Sequence, residues 1–379
     1  MNFDYTSEQI MLKEMSRKFA ETQIRPHIHK METEKRMVRD LIKEMREVGF
    51  YSIQYPEKYG GSGSSYIEYV IMMEEIARVY SSIAGHISVN NLCAGAIYEF
   101  GTEEQRMKYL PELITGSAVG SFAFTEAATG SDPSAIRTTA VIDGDEWIIN
   151  GEKLFITNST IPGYVGVSCK DIEKEGHITT IIVPKNAKGY SAPKLVDKMG
   201  MHGMEVADIV LDEVRVPLEN TLGGEEGRGK GYQILTDVIS VGKLGISAQC
   251  VGMAQGALDA SVKFAKERVQ RGKPIASFQT IQWLIGEMSS EVCAARQVVL
   301  ATAYAKSKGK NIIFDSARTR LFASQSAHRV ASNAMQVHGA FGYTTEFPVE
   351  RIFRDVKLTE IYEGVNEIQR VIAASELLR

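Results

Sequence analysis

The sequence predicts a mainly helical protein interrupted by one β-rich segment. Three observations carry this. Helical periodicity fills the first third, strand-like runs occupy roughly residues 138–217, and long proline-free helical stretches return from residue 230. The order helix, β, helix excludes a doubly wound α/β sheet, in which strands and helices alternate. The chain has 379 residues, more than one ordinary core supports, so two or three packed subdomains are expected.

Thr6 or Ser7 can cap a first helix, in which Ile10, Met11, Met15 and Phe19 recur near the helical period. A second helix is expected over residues 37–47, stopping near Gly49, and Tyr55-Pro56 through Gly63 reads as loop. Helical patterns resume over 66–79, 82–99 and 103–113. A β-hairpin is expected where 138–142 and 146–150 flank Asp143-Gly144-Asp145. Further strands are expected over 177–183, 191–195 and 206–216, with Pro184, Pro193 and Pro217 between strands or at their ends. Long helices from 230 to 270, 279–308 and 314–337, then shorter ones over 350–357 and 366–378, suit a bundle.

Composition narrows the partners. A hydrophobic fraction of 44% and a charged fraction of 24% suit a globular protein. A formal charge of −4 offers no basic field for nucleic acid or an anionic membrane. Cys93, Cys169, Cys250 and Cys293 are widely spaced without a CxxC pair, which reads as reduced thiols in a cytoplasmic protein rather than disulfides or a metal site. The start MNFDYTSEQI lacks the pattern of a signal peptide. No apolar run reaches about 18 residues, so no membrane insertion is expected.

Four short stretches invite a chemical reading. The glycine-rich run from Gly223 to Gly231 lacks GxGxxG spacing and a βαβ context, and reads as a connection between the β region and the bundle. The run FAFTEAATGSD, from Phe122 to Asp132, passes from apolar residues to hydroxyls, a glycine and an acid. It can present N–H and hydroxyl groups to a polar ring, and it equally suits a strand-ending turn. In Phe155-Ile156-Thr157-Asn158, alternate residues share a face, so the aromatic could stack on a planar group while Thr157 bonds its edge; core and rim packing gives the same pattern. In Tyr362-Glu363-Gly364, a carboxylate sits between an aromatic and a glycine just before a helix. Burial beside the tyrosine would raise its pKa, as a general base requires, while an acid favoured by the helix dipole looks the same in sequence.

Six ordered motifs make the chain resemble the acyl-CoA dehydrogenase family over essentially its whole length, nearest the short-chain (butyryl-type) members. They are YPEKYGGSG from Tyr55, SFAFTEAATGSD from Ser121, NGEKLFITN from Asn150, ERVQRGKPI with FQ ending at Gln279, QVHGAFGYTTEFPVER from Gln336, and IYEGVNEIQR from Ile361. The resemblance implies an N-terminal helical domain over 1–118, a middle β-barrel domain over 119–228 and a C-terminal four-helix bundle over 229–379. It implies FAD as cofactor, an acyl-CoA substrate, an electron-transferring flavoprotein as acceptor, and a homotetramer built as a dimer of dimers.

Residue by residue, the resemblance implies that Glu363 is the catalytic base. Flavin contacts are implied for Phe122, Phe124, Thr125, Gly130, Ser131, Phe155, Ile156 and Thr157. Arg268 and Gln279 match contacts on the diphosphate and adenine side. Gln336, Gly339 and Ala340 match a stretch that reaches the FAD of a neighbouring subunit, and Val365 and Glu367 match the last nucleotide contact. Acyl-CoA contacts are implied for Ser131, Ser240, Lys243, Tyr362 and Gly364, and the 88–92 stretch for the distal acyl pocket, where Asn90 and Asn91 could face a polar, dicarboxylic or cyclic acyl group or be structural amides.

The chain departs from the family pattern in places. Arg271 replaces a phenylalanine; Ser240 and Lys243 replace an aspartate and an arginine, and lysine lacks the arginine fork; His202 replaces a frequent arginine. These departures point away from plain butyryl-CoA, toward a short-chain, branched or cyclic acyl group. A glutaryl-CoA-type dehydrogenase is an alternative, disfavoured by the lack of an arginine in 82–92. A non-catalytic flavoprotein of the same fold is disfavoured by the retained Glu363.

Overall fold

The structure is a computed structural model describing residues 4–132 and 135–378. Helix α1 (Ser7–Phe19) opens on a reciprocal cap in which the Thr6 hydroxyl accepts from the Gln9 N–H and the Gln9 side chain accepts from the Thr6 N–H. A π-helical segment (Ala20–Ile24) leads into α2 (Ile28–Glu34), then α3 (Arg39–Glu47). Helices α4 (Tyr66–Val79), α5 (Ser81–Phe100) and α6 (Glu103–Ile114) follow, α4 and α6 with the same reciprocal cap from Ser65 and Thr102. Helix α5 is buried nearly all round, including its polar residues Ser82, His86, Ser88, Asn90 and Asn91.

Seven strands form the middle sheet: β1 (Val119–Ala123), β2 (Thr139–Asp143), β3 (Glu146–Thr157), β4 (Gly163–Asp171), β5 (His177–Pro184), β6 (Tyr190–Ser191) and β7 (Val206–Pro217). The expected hairpin is present, with Asp143 paired to Glu146 around Gly144. Strand β4 pairs antiparallel with β5 and parallel with β1 and β2, and the order continues through β3 and β7 to β6.

The sheet corrects the expected barrel: among the described residues it stays open, as a half-barrel. Its outer strands, β6 on one side and β1 and β5 on the other, do not pair with each other, and the segment expected to form a strand over 191–195 is cut short. Only Tyr190 and Ser191 pair with β7; beyond Pro193 a single bridge from Leu195 to Ala207 remains. Strand β4 is additional to the sequence expectation. The glycine-rich connection contains a short turn of helix, α7 (Gly224–Gly227), with Gly223 and Gly229 in the left-handed region.

The last third opens with α8 (Gly231–Glu267), then a two-residue hairpin of β8 (Val269–Gln270) and β9 (Lys273–Pro274), with Arg271 in its turn. Helices α9 (Gln279–Ser307), α10 (Ile313–His338), α11 (Pro348–Leu358) and α12 (Asn366–Leu377) complete the chain. Helix α8 holds an 18-residue window of mean hydropathy 1.3, long and apolar enough to cross a membrane, but 78% of it is buried inside the protein. It packs against α4, α5, α9 and α10, so one apolar core joins the first and last thirds of the chain.

A buried polar chain fastens the helical part to the sheet. Tyr51 Oη lies 2.7 Å from His86 Nε2, His86 Nδ1 lies 2.8 Å from Asn158 Oδ1, and Asn158 Nδ2 donates to the carbonyls of His86 and Gly120. Burial pushes the His86 imidazole down to about 4, so it stays neutral. His202, one of the departures, is held by Glu32 at 3.2 Å and by the Lys198 carbonyl at 2.9 Å.

Candidate active site

Glu363 lies in the turn between α11 and α12. The turn begins where the Ile361 and Tyr362 N–H groups donate to the Leu358 carbonyl and closes where Asn366 N–H donates to the Glu360 carbonyl. Within it Glu363 has φ +52°, a left-handed conformation that costs a non-glycine residue about 1 kcal/mol or more. What holds this strain is Arg320 of α10, whose side chain is fully buried. Its guanidinium donates to the carbonyls of Thr359 at 2.9 Å, Tyr362 at 2.5 Å and Gly364. Gln369 Nε2 also donates to the Gly364 carbonyl at 3.0 Å, and the Tyr362 hydroxyl donates to Gln249 Oε1 of α8.

The carboxylate this turn presents is unusual. Both oxygens of Glu363 are shielded from solvent and have no hydrogen-bond partner. Burial pushes its pKa up to about 7, opposed by the charges of Arg320 and Lys243. Burial in turn pulls the Lys243 ammonium down to about 8. Glu363 is thus poised to exchange a proton near neutrality, as general acid–base chemistry requires. Gly242 on α8 makes room for it: a β-carbon there would sit 2.2 Å from Glu363 Oε2 and 2.6 Å from Leu92 Cδ2.

From Gly242 a cavity of about 350 Å³ runs between α4, α5 and α8 toward the turn joining α9 and α10. Ser240 lines it, but its hydroxyl donates to the Thr236 carbonyl of its own helix at 2.8 Å. The two asparagines of α5 separate in role. Asn90 is structural, donating to the Leu113 carbonyl at 3.1 Å and accepting from the Gly120 N–H at 2.7 Å. Asn91 lines the cavity.

On the sheet, Phe155 has φ +59° at the irregularity between Lys153 and Ile156, and its ring is 61% exposed. An open left-handed phenylalanine on a strand is a costly arrangement that fits a flat ligand laid against it. Ile156 points into the sheet core, and the Thr157 carbonyl accepts from Ser121 Oγ at 2.7 Å. Phe122 is half-buried against the cluster that contains Leu92 and Cys93. Phe124 and Thr125 lie in the following loop, joined to β3 by the Leu154 N–H donating to the Thr125 carbonyl at 2.8 Å. Gly130 and Ser131 are exposed on its outer part.

A second group gathers at one end of the bundle. Arg268 lies over the Phe341 ring at 5.0 Å, next to exposed Gly339 and Ala340 and just after exposed Gln336. Exposed Gln279 begins α9 beyond the hairpin that Arg268 closes through its carbonyl and the Ile275 N–H. Among the described residues no hydrogen bond, ion pair or ring contact joins this group to Phe155–Thr157. Val365 caps α12, and exposed Glu367 pairs with Arg370 at 3.1 Å.

Profiles for the acyl-CoA dehydrogenase N-terminal, middle and C-terminal domains match residues 6–117, 121–214 and 229–378. The chain belongs to the acyl-CoA dehydrogenase family. It is 39% identical to the acryloyl-CoA reductase (NADH) of Anaerotignum propionicum, over 100% of this chain and 96% of that one. It is 37% identical to the caffeyl-CoA reductase–Etf complex subunit of Acetobacterium woodii, over 99% of this chain and 100% of that one. The butyryl-CoA dehydrogenase structure from Megasphaera elsdenii superposes with a TM-score of 0.95 at 35% identity, over 100% of both chains.

As an acyl-CoA dehydrogenase family member the protein is an oxidoreductase with FAD as cofactor, and the open Phe155 ring and neighbouring polar loop fit a flavin. Bound FAD supplies the acceptor for a hydride. Gly242→Ala is expected to push the Glu363 carboxylate aside and slow flavin reduction by acyl-CoA about 10- to 100-fold, since misplacement by about 1 Å costs that order. Anaerobic stopped-flow absorbance checks this, with flavin content expected unchanged.

Proposed function

We propose that the protein catalyses α,β-dehydrogenation of a short-chain, branched or cyclic acyl-CoA to the 2-enoyl-CoA, with Glu363 removing the α-proton. The observation that carries this reading is Glu363 itself: a carboxylate without partners, raised to about 7, set against Gly242 of the cavity wall. Deprotonated, it takes the α-proton; protonated, it returns one to the same carbon when the enoyl-CoA is reduced. The site therefore serves either direction, and the similarity to an acryloyl-CoA reductase makes the reductive direction a second reading.

In this account Phe155 covers one flavin face, Thr157 bonds its edge, and residues 122–131 line its rim. Tyr362 and Gly364 flank the thioester, and Lys243 lends positive charge beside the base. Arg268, Gln279, Gln336, Gly339 and Ala340 serve a flavin nucleotide held by a neighbouring subunit, which suits their separation from Phe155. Exposed Trp283 and Tyr304 on α9 and Tyr343 after α10 support assembly as a homotetramer. Likeness to a subunit of an Etf complex supports an electron-transferring flavoprotein as partner. Free thiols at Cys93, Cys169, Cys250 and Cys293 suit a cytoplasmic setting. A glutaryl group is disfavoured by Glu99 and Asp237, whose carboxylates offset Lys306 and Lys310 along the cavity wall, with Lys306 held by Glu99 at 3.0 Å.

The test is anaerobic titration of the yellow holoprotein with butyryl-, isobutyryl-, 2-methylbutyryl-, glutaryl- and cyclohexanecarboxyl-CoA. Bleaching of the flavin by a short, branched or cyclic acyl-CoA is expected. Protein that takes up no FAD, or flavin left oxidised by every thioester, contradicts the proposal.

A further inference from the structure

The wall of the cavity beyond Gly242 carries polar atoms that the protein leaves unsatisfied. Gln54 Oε1 in the loop before α4 is buried without a hydrogen-bond partner, and Ser88 Oγ and Asn91 Nδ2 on α5 make no hydrogen bond of ordinary geometry, with the Tyr69 hydroxyl the polar group that faces them. Ser88 is 1% exposed and Asn91 9% exposed. Buried polar groups are ordinarily satisfied, because an orphan loses its hydration with no hydrogen bond to offset the loss. Asn90, the neighbour of Asn91, shows the ordinary outcome, with both ends of its amide bonded to backbone. Tyr55 Oη approaches Asn91 Oδ1 at only 3.4 Å, so the amide is weakly held even at its oxygen.

The orphans select among ligands. A hydrocarbon chain would leave Gln54 Oε1 unpaired, leave Ser88 and Asn91 with the Tyr69 hydroxyl alone, and exclude the water that could serve them. A carboxylate only accepts, so it would answer Asn91 Nδ2 but set an oxygen against Gln54 Oε1. It would also meet Glu99 and Asp237, which line the cavity along with Lys306 and Lys310, so the two acids offset the two cations there. A hydroxyl both donates and accepts, and so answers both amides while adding no charge.

We propose that the acyl group bound here carries a hydroxyl remote from the thioester, on an alkyl chain or a ring, held by Gln54, Asn91 and Ser88. This rests on the acyl-CoA reading above and names its substrate class.

Two matched pairs test it: hexanoyl- against 6-hydroxyhexanoyl-CoA, and 3-phenylpropionyl- against 3-(4-hydroxyphenyl)propionyl-CoA. For each, kcat/KM is measured with the holoenzyme, and Kd by calorimetry with the Glu363→Gln holoprotein, which binds without turnover. In at least one pair the hydroxylated member is expected to be favoured about 10-fold or more in both quantities, because a site built to bond a hydroxyl rejects the analogue lacking it. Gln54→Leu and Asn91→Leu, each checked for flavin content, are expected to erase that preference, read as the ratio of the hydroxylated to the parent member within each pair. Equal use of both members in both pairs, or a preference untouched by either variant, overturns the hydroxyl proposal but leaves the acyl-CoA reading standing if any member bleaches the flavin. Bleaching by none overturns both.

Discussion

Glu363→Gln is expected to retain FAD and bind acyl-CoA but to reduce its flavin about 10²- to 10⁴-fold more slowly, the range over which a positioned base contributes. Glutamine keeps the shape and cannot take the proton. Folding should not suffer, because neither carboxylate oxygen has a hydrogen bond to lose. The folded pKa of about 7 lies above the ordinary 4.5, so the native carboxyl binds its proton more tightly than the unfolded chain does. Wild-type stability therefore falls as pH rises through that window, and the uncharged glutamine escapes the loss. Above pH 7 the variant is expected to melt no lower than wild type. Anaerobic single-turnover absorbance and thermal melts at pH 5 and 8 check the two halves of this expectation. Near-normal reduction in the variant removes Glu363 from the role of base.

Arg320→Leu is expected to have the next largest effect, acting through the turn rather than on the substrate. It strips donors from the carbonyls of Thr359, Tyr362 and Gly364, of which Gly364 keeps Gln369. At about 1–3 kcal/mol for each buried carbonyl left unpaired, a stability loss of about 2–5 kcal/mol follows. The left-handed conformation of Glu363 loses its brace, and the base loses the larger of the two cationic influences that hold its pKa down. Flavin reduction should slow, and its pH midpoint should move upward. Arg320→Lys keeps the charge but not the fork, so it should preserve the pH midpoint better than the rate. Denaturant unfolding and the pH dependence of flavin reduction separate these effects. A variant with wild-type stability and an unmoved midpoint contradicts the bracing role.

The sequence makes the helical order, the hairpin at Gly144 and the carboxylate at 363 legible, because each leaves a local signature of periodicity, turn chemistry or motif. Other features depend on facing that the sequence does not encode. Arg318 and Arg320 lie two apart on α10, on different sides of the helix: the first is exposed and pairs with Glu376, while the second turns inward to the turn that carries Glu363. Nothing in RTRLF distinguishes them. Asn90 and Asn91 are adjacent, yet one bonds backbone and the other faces the cavity. Gly242 within a helix was a visible signal of close approach, but its neighbour, Glu363, lies far along the chain. The strand expected over 191–195 is reduced to a two-residue pairing ahead of Pro193, a position where proline disfavours a ladder, and the outer strands of the sheet stay unpaired with each other among the described residues. Strand β4 is weakly signalled because it contains Gly163 and Gly166; the latter leaves space for the Phe122 ring, 3.2 Å from where a β-carbon would be.

The most direct test of Glu363 as a buried base is the pH dependence of the first anaerobic turnover, measured as the second-order rate constant of flavin reduction at subsaturating acyl-CoA between pH 5.5 and 9, which reports the free protein's base. The geometry predicts a rate that rises with pH and reaches half its plateau near 7, as the carboxyl raised by burial gives up its proton. A rate that is flat across this range, or that falls as pH rises through 7, contradicts the assignment.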